Sequence, residues 1–158
     1  MKLTFRNIVE NELTAFADIL AEGAAWLREK GIEMWAQEQV SLDRLLKNYT
    51  LEEMFMGFQE GDPAAVMILQ EKYSRSVYLH KLCIRRKYAG TGLSHAMIQL
   101  AKQEVARRGR SYLRLDCAAD RPKLCSFYEA QGFRKVDEGI MYGKFPTAFY
   151  EFDASPKF

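Results

Sequence analysis

The sequence predicts an α/β (α+β) fold, a mixed and mostly antiparallel seven-stranded sheet with helices on both faces. Two observations carry that expectation: a hairpin-rich first half, and strand–helix–strand units in the second. Together they run in the order β-α-α-β-β-β-α-β-α-β-β. Length bounds the number of domains. A chain of 158 residues fits one domain, 1–158, able to bury about 70% of its unfolded surface.

Leu3-Thr4-Phe5-Arg6 reads as the first strand. Asn11 is placed to cap the helix that follows, in which Leu13, Phe16, Ala17, Leu20, Ala24 and Leu27 recur at helical spacing until Gly31 closes it. Ser41 opens a second, short helix through Leu42, Leu45, Leu46 and Tyr49. Met54-Phe55-Met56-Gly57-Phe58 and Ala65-Val66-Met67-Ile68-Leu69 flank the turn Glu60-Gly61-Asp62-Pro63 as a hairpin. A turn at Ser74-Arg75-Ser76 leads into a fourth strand over 77–84. After a basic loop, Leu93, Met97, Leu100, Ala101 and Val105 share one face of a long helix that Gly109 ends. Tyr112-Leu113-Arg114-Leu115-Asp116-Cys117 is the fifth strand. Asp120 and Pro122 start a helix with Leu124, Phe127 and Tyr128 on its apolar face, and Gly132 stops it. The last strands fit 133–136, with a continuation near 140–142, and 148–152. The tail from Ser155 onward reads as loose, and neither repeats nor linkers interrupt the chain.

The 48% hydrophobic and 28% charged residues are those of an ordinary globular protein. With 23 basic and 21 acidic side chains the formal charge is only +2, which argues against a dedicated nucleic-acid partner. No apolar run approaches the roughly 18 residues of a membrane span, and a strand-like pattern begins at Leu3. A cytoplasmic protein with no signal peptide and no membrane partner is therefore expected. Cys83, Cys117 and Cys125 lack CxxC spacing and read as reduced, buried thiols. His80 and His95 are the only histidines, so no metal is expected.

The chemistry concentrates at Arg85-Arg86-Lys87-Tyr88-Ala89-Gly90-Thr91-Gly92. A glycine turn between a strand and a helix aims several backbone N–H groups at one spot, and the helix dipole adds to their pull on a phosphate or diphosphate. Gly90 and Gly92 allow close approach of the backbone, and Arg85, Arg86 and Lys87 add positive charge nearby. By itself such a turn is more often only a tight connection. The absence of GxxxxGK[ST], and of GxGxxG with a following acidic residue, sets aside P-loop and dinucleotide sites.

From Ile84 to Ser94 the chain resembles the central signature of the GNAT superfamily of acyl-CoA-dependent N-acetyltransferases, an aliphatic residue followed by R-G-x-G-x-G at a helix start. Arg86 stands where proline is common, Ala89 where arginine is usual, and Ser94 where the last glycine or alanine falls. Phe127-Tyr128-Glu129-Ala130-Gln131-Gly132-Phe133 is similar to the family's F/L-Y-E-x-x-G-F segment, and Arg121 occupies a position that is often asparagine. With both segments in order, the resemblance covers nearly the whole chain. It implies a GNAT-like fold and acetyl-CoA as cosubstrate. It also implies direct attack by a primary amine of a small molecule or peptide, in a ternary complex on a monomer or homodimer. It places the pantetheine arm along Leu82, Cys83 and Ile84. The rest of the coenzyme falls to Lys87, Ala89, Gly90, Thr91, Gly92, Leu93, Ser94, Arg121 and Phe127.

The same resemblance implies that Tyr128 serves the leaving thiolate, a task suited to a phenol with pKa near ~10; the bland alternative is a core tyrosine. Strand alternation sets Tyr78, His80, Leu82 and Ile84 on one face. An imidazole there, with pKa near ~6.5, could take the proton of an incoming ammonium; a structural histidine is the even alternative. His95, Arg107, Arg108 and Arg110 read as solvated helix residues, and Glu71 and Asp116 as surface salt-bridge partners, with an alternative general base as the other reading of either acid. Trp26, Met34 and Trp35 either border an acceptor cleft or simply pack. Two further readings stand beside the enzyme: a non-catalytic acyl-CoA-binding module on the same fold, and a nucleic-acid partner, which the near-neutral charge disfavours.

Overall fold

The computed structural model describes residues 2–32 and 37–155. Met34, Trp35 and the tail beyond Ser155 lie outside the described residues. The strands are β1 (Leu3–Asn7), β2 (Met54–Gln59), β3 (Asp62–Lys72), β4 (Ser76–Ile84), β5 (Tyr112–Ala118), β6 (Arg134–Met141) and β7 (Phe145–Asp153). The helices are α1 (Leu13–Glu29), α2 (Leu42–Asn48), α3 (Leu93–Arg107) and α4 (Pro122–Ala130). The sheet order is β1-β2-β3-β4-β5-β7-β6. β4 and β5 pair in parallel, whereas β1–β2, β2–β3, β5–β7 and β6–β7 are antiparallel. Element order and sheet type are those the sequence predicts. The chain divides into two compact units, Met1–Gln70 with His80–Met97, and Glu71–Leu79 with Ile98–Phe158.

In the first unit, period-two alternation along β2 sorts its side chains onto two faces. Met54 and Met56, with Val66 and Ile68 of β3, join Phe16 and Leu20 of α1 and Leu45 of α2 in one core cluster. Each large apolar side chain fully buried there contributes about 1.5–3 kcal/mol. Gly57 faces the other way, where an added Cβ would stand 2.8 Å from Met97 Sδ of α3. Helices thus pack on both faces of β2, and a side chain at position 57 would require that of Met97 to shift.

Ser41 caps α2, its hydroxyl accepting the Arg44 N–H at 3.4 Å. Gly31, at φ +74°, ends α1 while the Ile32 N–H returns to the Leu27 carbonyl at 2.9 Å. Asn11 does not cap α1: residues Glu10–Glu12 form a 3-10 turn and the helix begins at Leu13. The longer Glu12 side chain takes the Val9 N–H at 2.9 Å and the Arg6 guanidinium at 2.8 Å. The hydrogen bond from Arg6 is the main reason its carboxyl is pulled down to about 2.

β4 departs from plain alternation. Lys81 sits at φ +53° in mid-strand, a left-handed kink that turns the chain by one position. The His80 ring lies 5.5 Å from that of Tyr49, which packs on the α1–α2 cluster, and Cys83 belongs to the same cluster. Regular pleating would send residues 80 and 83 to opposite faces, so the expected single face of Tyr78, His80, Leu82 and Ile84 is not formed.

In the second unit Tyr150 of β7 is almost wholly buried, and its hydroxyl donates to Glu129 of α4 at 2.6 Å. Glu71 pairs with Arg110 at 2.5 Å and with Arg108 at 3.6 Å, and Arg110 also donates to the Tyr73 carbonyl at 2.9 Å. Arg108 and Arg110 are therefore tied down, contrary to the solvated helix end expected; Glu71 is the ion-pair partner expected. β6 runs unbroken, with a bulge between Lys135 and Asp137. Its Asp137-Glu138-Gly139 stretch carries no apolar signal because every residue of this edge strand is exposed.

Candidate active site

After Ile84 the chain makes a 3-10 turn over Arg86–Tyr88 and reaches α3 through Gly90 at φ +77° and Gly92 at φ +82°. A Cβ added at either glycine meets nothing within 4 Å. Backbone conformation, not crowding, therefore calls for glycine here. The Ala89 N–H donates to the Arg86 carbonyl at 3.1 Å and the Thr91 hydroxyl to the Tyr88 carbonyl at 2.6 Å, closing the turn on itself. The Ala96 N–H bonds the Gly92 carbonyl at 3.2 Å as α3 begins. The amides of Leu93 and Ser94 thus lie in the first turn, ahead of any carbonyl the helix could offer them, at the positive end of its dipole.

The cations beside this turn are engaged by neighbours. Arg85 Nη1 donates to the Pro63 carbonyl at 2.8 Å and to Asp62 Oδ2 at 3.2 Å. Lys87 Nζ reaches the same Oδ2 at 3.2 Å and the Tyr88 hydroxyl reaches it at 2.5 Å. The Tyr88 hydrogen bond, followed by that of Lys87, holds the Asp62 carboxyl below the usual carboxylate range. The Arg86 guanidinium lies 3.8 Å over the Trp26 ring, and its backbone N–H donates to Glu22 Oε1 at 2.7 Å. Trp26 is half-buried and has Lys30 at 4.9 Å as well, so it packs as a cation partner of the loop. Sequence reasoning missed Asp62 and Glu22. Asp62 read only as a turn residue, and Glu22 stands 64 positions from its partner, with no local signal to link them.

Along β4, Cys83 is a core residue. Its Sγ donates to the Ile19 carbonyl at 3.5 Å, and a Cβ at Gly23 would stand only 2.5 Å from that sulfur. Burial pushes its thiol up to about 12. Leu82 and Ile84 are half-buried, as is His80.

On α4, Arg121 occupies the N-cap position ahead of Pro122. Tyr128 is half-buried among rings, with Phe127 at 5.3 Å, Phe133 at 5.9 Å and Tyr150 at 6.3 Å. Burial drives its phenol above its ordinary value, and Cys117 and then Asp116 add to the shift. Asp116 accepts the Tyr78 hydroxyl at 2.6 Å, in place of the surface salt bridge expected. Cys117 and Cys125 are free thiols 3.9 Å apart. His95 is exposed.

The model of the acetyltransferase (GNAT) domain matches residues 24–143, which include both the glycine turn and Tyr128. The chain belongs to the GNAT acetyltransferase family. A curated relative is the uncharacterized N-acetyltransferase YesJ of Bacillus subtilis (strain 168), 26% identical over 147 residues, spanning 79% of this chain and 78% of that one. The fold resembles that of the Escherichia coli ribosomal-protein-S18-alanine N-acetyltransferase, with a TM-score of 0.78, 20% identity, and coverage of 99% and 97% of the two chains. It also resembles the PaiA N-acetyltransferase of Thermoplasma acidophilum in complex with coenzyme A, with a TM-score of 0.78, 17% identity, and coverage of 97% and 99%. Among the described residues no helix is long and apolar enough to cross a membrane. No group of three or more His, Cys, Asp or Glu side chains among them could hold a metal ion.

Proposed function

We propose that this GNAT protein moves an acetyl group from acetyl-CoA to a primary amine of a small molecule or peptide, by direct attack in a ternary complex. The observation that carries the reading is the pair of left-handed glycines immediately ahead of α3, a backbone arrangement suited to a diphosphate. Acetyl-CoA supplies an activated thioester; this chain's residues bind, orient and manage protons. The amides from Gly90 to Ser94 take the diphosphate, with Ala89 and Thr91 shaping the turn and Lys87 at its flank. Backbone groups of Leu82, Cys83 and Ile84 align the pantetheine arm, the Cys83 side chain being buried elsewhere. Arg121 and Phe127 complete the coenzyme contacts.

His80 takes the proton of the incoming ammonium, directly or through water. The free amine then attacks the carbonyl carbon, a tetrahedral centre forms, the carbon–sulfur bond breaks with the electron pair leaving on sulfur, and the nitrogen gives up its remaining extra proton to water to leave the neutral amide. Tyr128 meets that sulfur. Its raised pKa keeps the phenol protonated at neutral pH, while a thiolate is the conjugate base of a thiol near ~8.5. Full proton transfer from so weak an acid is uphill, so Tyr128 acts chiefly as a hydrogen-bond donor to the developing charge. To test the function, acetyl-CoA is mixed with the protein and a panel of amines, and release of free thiol is followed. Amine-dependent release is expected. Saturable binding without transfer to any amine would instead point to the non-catalytic module.

A further inference from the structure

We propose that Asp62 and Glu22 are positioning residues for the coenzyme loop: they hold residues 85–88 from two sides so that the amides after them, rather than the neighbouring cations, receive the diphosphate. The inference rests on the acyl-CoA reading above and adds two residues outside both family signatures.

The first anchor is the convergence on Asp62. Three of the four consecutive side chains at 85–88 reach its carboxylate: Arg85 at 3.2 Å, Lys87 at 3.2 Å and the Tyr88 hydroxyl at 2.5 Å. The Arg85 backbone N–H adds a bond to the Ala64 carbonyl at 2.8 Å, two residues further along β3. A loop fastened this way loses less freedom when a ligand arrives, and so binds more tightly for the same contacts. The second anchor is Glu22. A proline at the position of Arg86 would fix φ and bring no N–H. Arg86 brings a donor, and Glu22 Oε1 accepts it at 2.7 Å while Trp26 takes the guanidinium on its face at 3.8 Å. α1 thus does for this turn what a proline ring does by covalent constraint. With the side chains at 85–88 engaged, the next donors along the chain are the amides from Gly90 into the first turn of α3.

The test is steady-state kinetics of the 158-residue chain with acetyl-CoA varied, on wild type, Asp62→Ala, Tyr88→Phe, Glu22→Ala and Glu22→Ala combined with Arg86→Pro. Loss of a charge-assisted anchor is expected to raise KM for acetyl-CoA about tenfold in Asp62→Ala, and roughly threefold in Tyr88→Phe and Glu22→Ala, with kcat within about twofold. Adding Arg86→Pro to Glu22→Ala is expected to restore KM to within about twofold of wild type, because proline needs no acceptor and presets φ. A merely structural role would lower the melting temperature and the active fraction, leave KM unmoved and show no rescue by proline. That pattern overturns the proposal. So does a lower KM in Asp62→Ala, which would mean that released Arg85 and Lys87 grip the phosphates themselves. Wild-type protein that gives no calorimetric signal with acetyl-CoA sinks the acyl-CoA reading and this inference together. Wild-type binding with unaltered variants sinks only the inference.

Discussion

The glycine turn before α3 and the segment from Phe127 to Phe133 use their residues in opposite ways. In the turn, side chains are drawn away: Arg85, Lys87 and Tyr88 to Asp62, and Arg86 to Trp26. What it offers a ligand is backbone. In the α4 segment, backbone and side chains build core. Glu129 holds the Tyr150 hydroxyl, Phe133 is buried, and Gly132 at φ +92° lets the Phe152 ring come within 3.4 Å of where a Cβ would sit. One phenol, Tyr128, is the one to which the proposed function gives a chemical role. A motif can therefore encode a backbone shape in one place and a packed platform for a single side chain in another, and substitutions in the two places act by different routes.

The contrast is broken most directly at Tyr128. Tyr128→Phe keeps the ring packing and removes the hydroxyl, so kcat is expected to fall about 100-fold or more with little change in melting temperature. Turnover within threefold of wild type would reduce Tyr128 to another part of the platform. Gly132→Ala comes next. It sets a Cβ at positive φ against the Phe152 ring, and a loss of about 2–3 kcal/mol in denaturant unfolding is expected. An unchanged midpoint would mean the α4 platform is less tightly packed than it looks. The smallest effect concerns pH. The Tyr128 phenol is raised above its ordinary value by burial, so the donor is present throughout the neutral range. It is lost only as pH climbs beyond the ordinary phenol value of about 10. At saturating substrates kcat is expected to change less than about twofold between pH 7.5 and 9.5. An alkaline fall inside that window, absent from Tyr128→Phe, would show that the phenol ionises more easily than its surroundings imply.

What was legible in the sequence is what local rules decide. Ser41 and Gly31 bound their helices as expected because a cap and a left-handed stop depend on a few adjacent residues. Both family signatures are local too, one a run of turn residues and the other a helix end. The failures trace to contacts from afar or to a single dihedral angle. Asn11 lost the helix start to Glu12, whose longer carboxylate also meets Arg6. Lys81 at φ +53° moved His80 and Cys83 onto one side, and no periodicity foretells one such residue. The grip of Asp62 on Tyr88 spans 26 positions and that of Glu22 on Arg86 spans 64, so neither leaves a pattern in a window of sequence.

Titration calorimetry of acetyl-CoA into wild type and Gly92→Ala tests most directly whether the backbone of the turn holds the coenzyme. A saturable heat is expected, with Kd at or below about 0.1 mM for wild type and raised about tenfold by Gly92→Ala, since a left-handed residue with a Cβ costs roughly 1–2 kcal/mol. No heat at millimolar acetyl-CoA, or equal affinity in the two proteins, would contradict it.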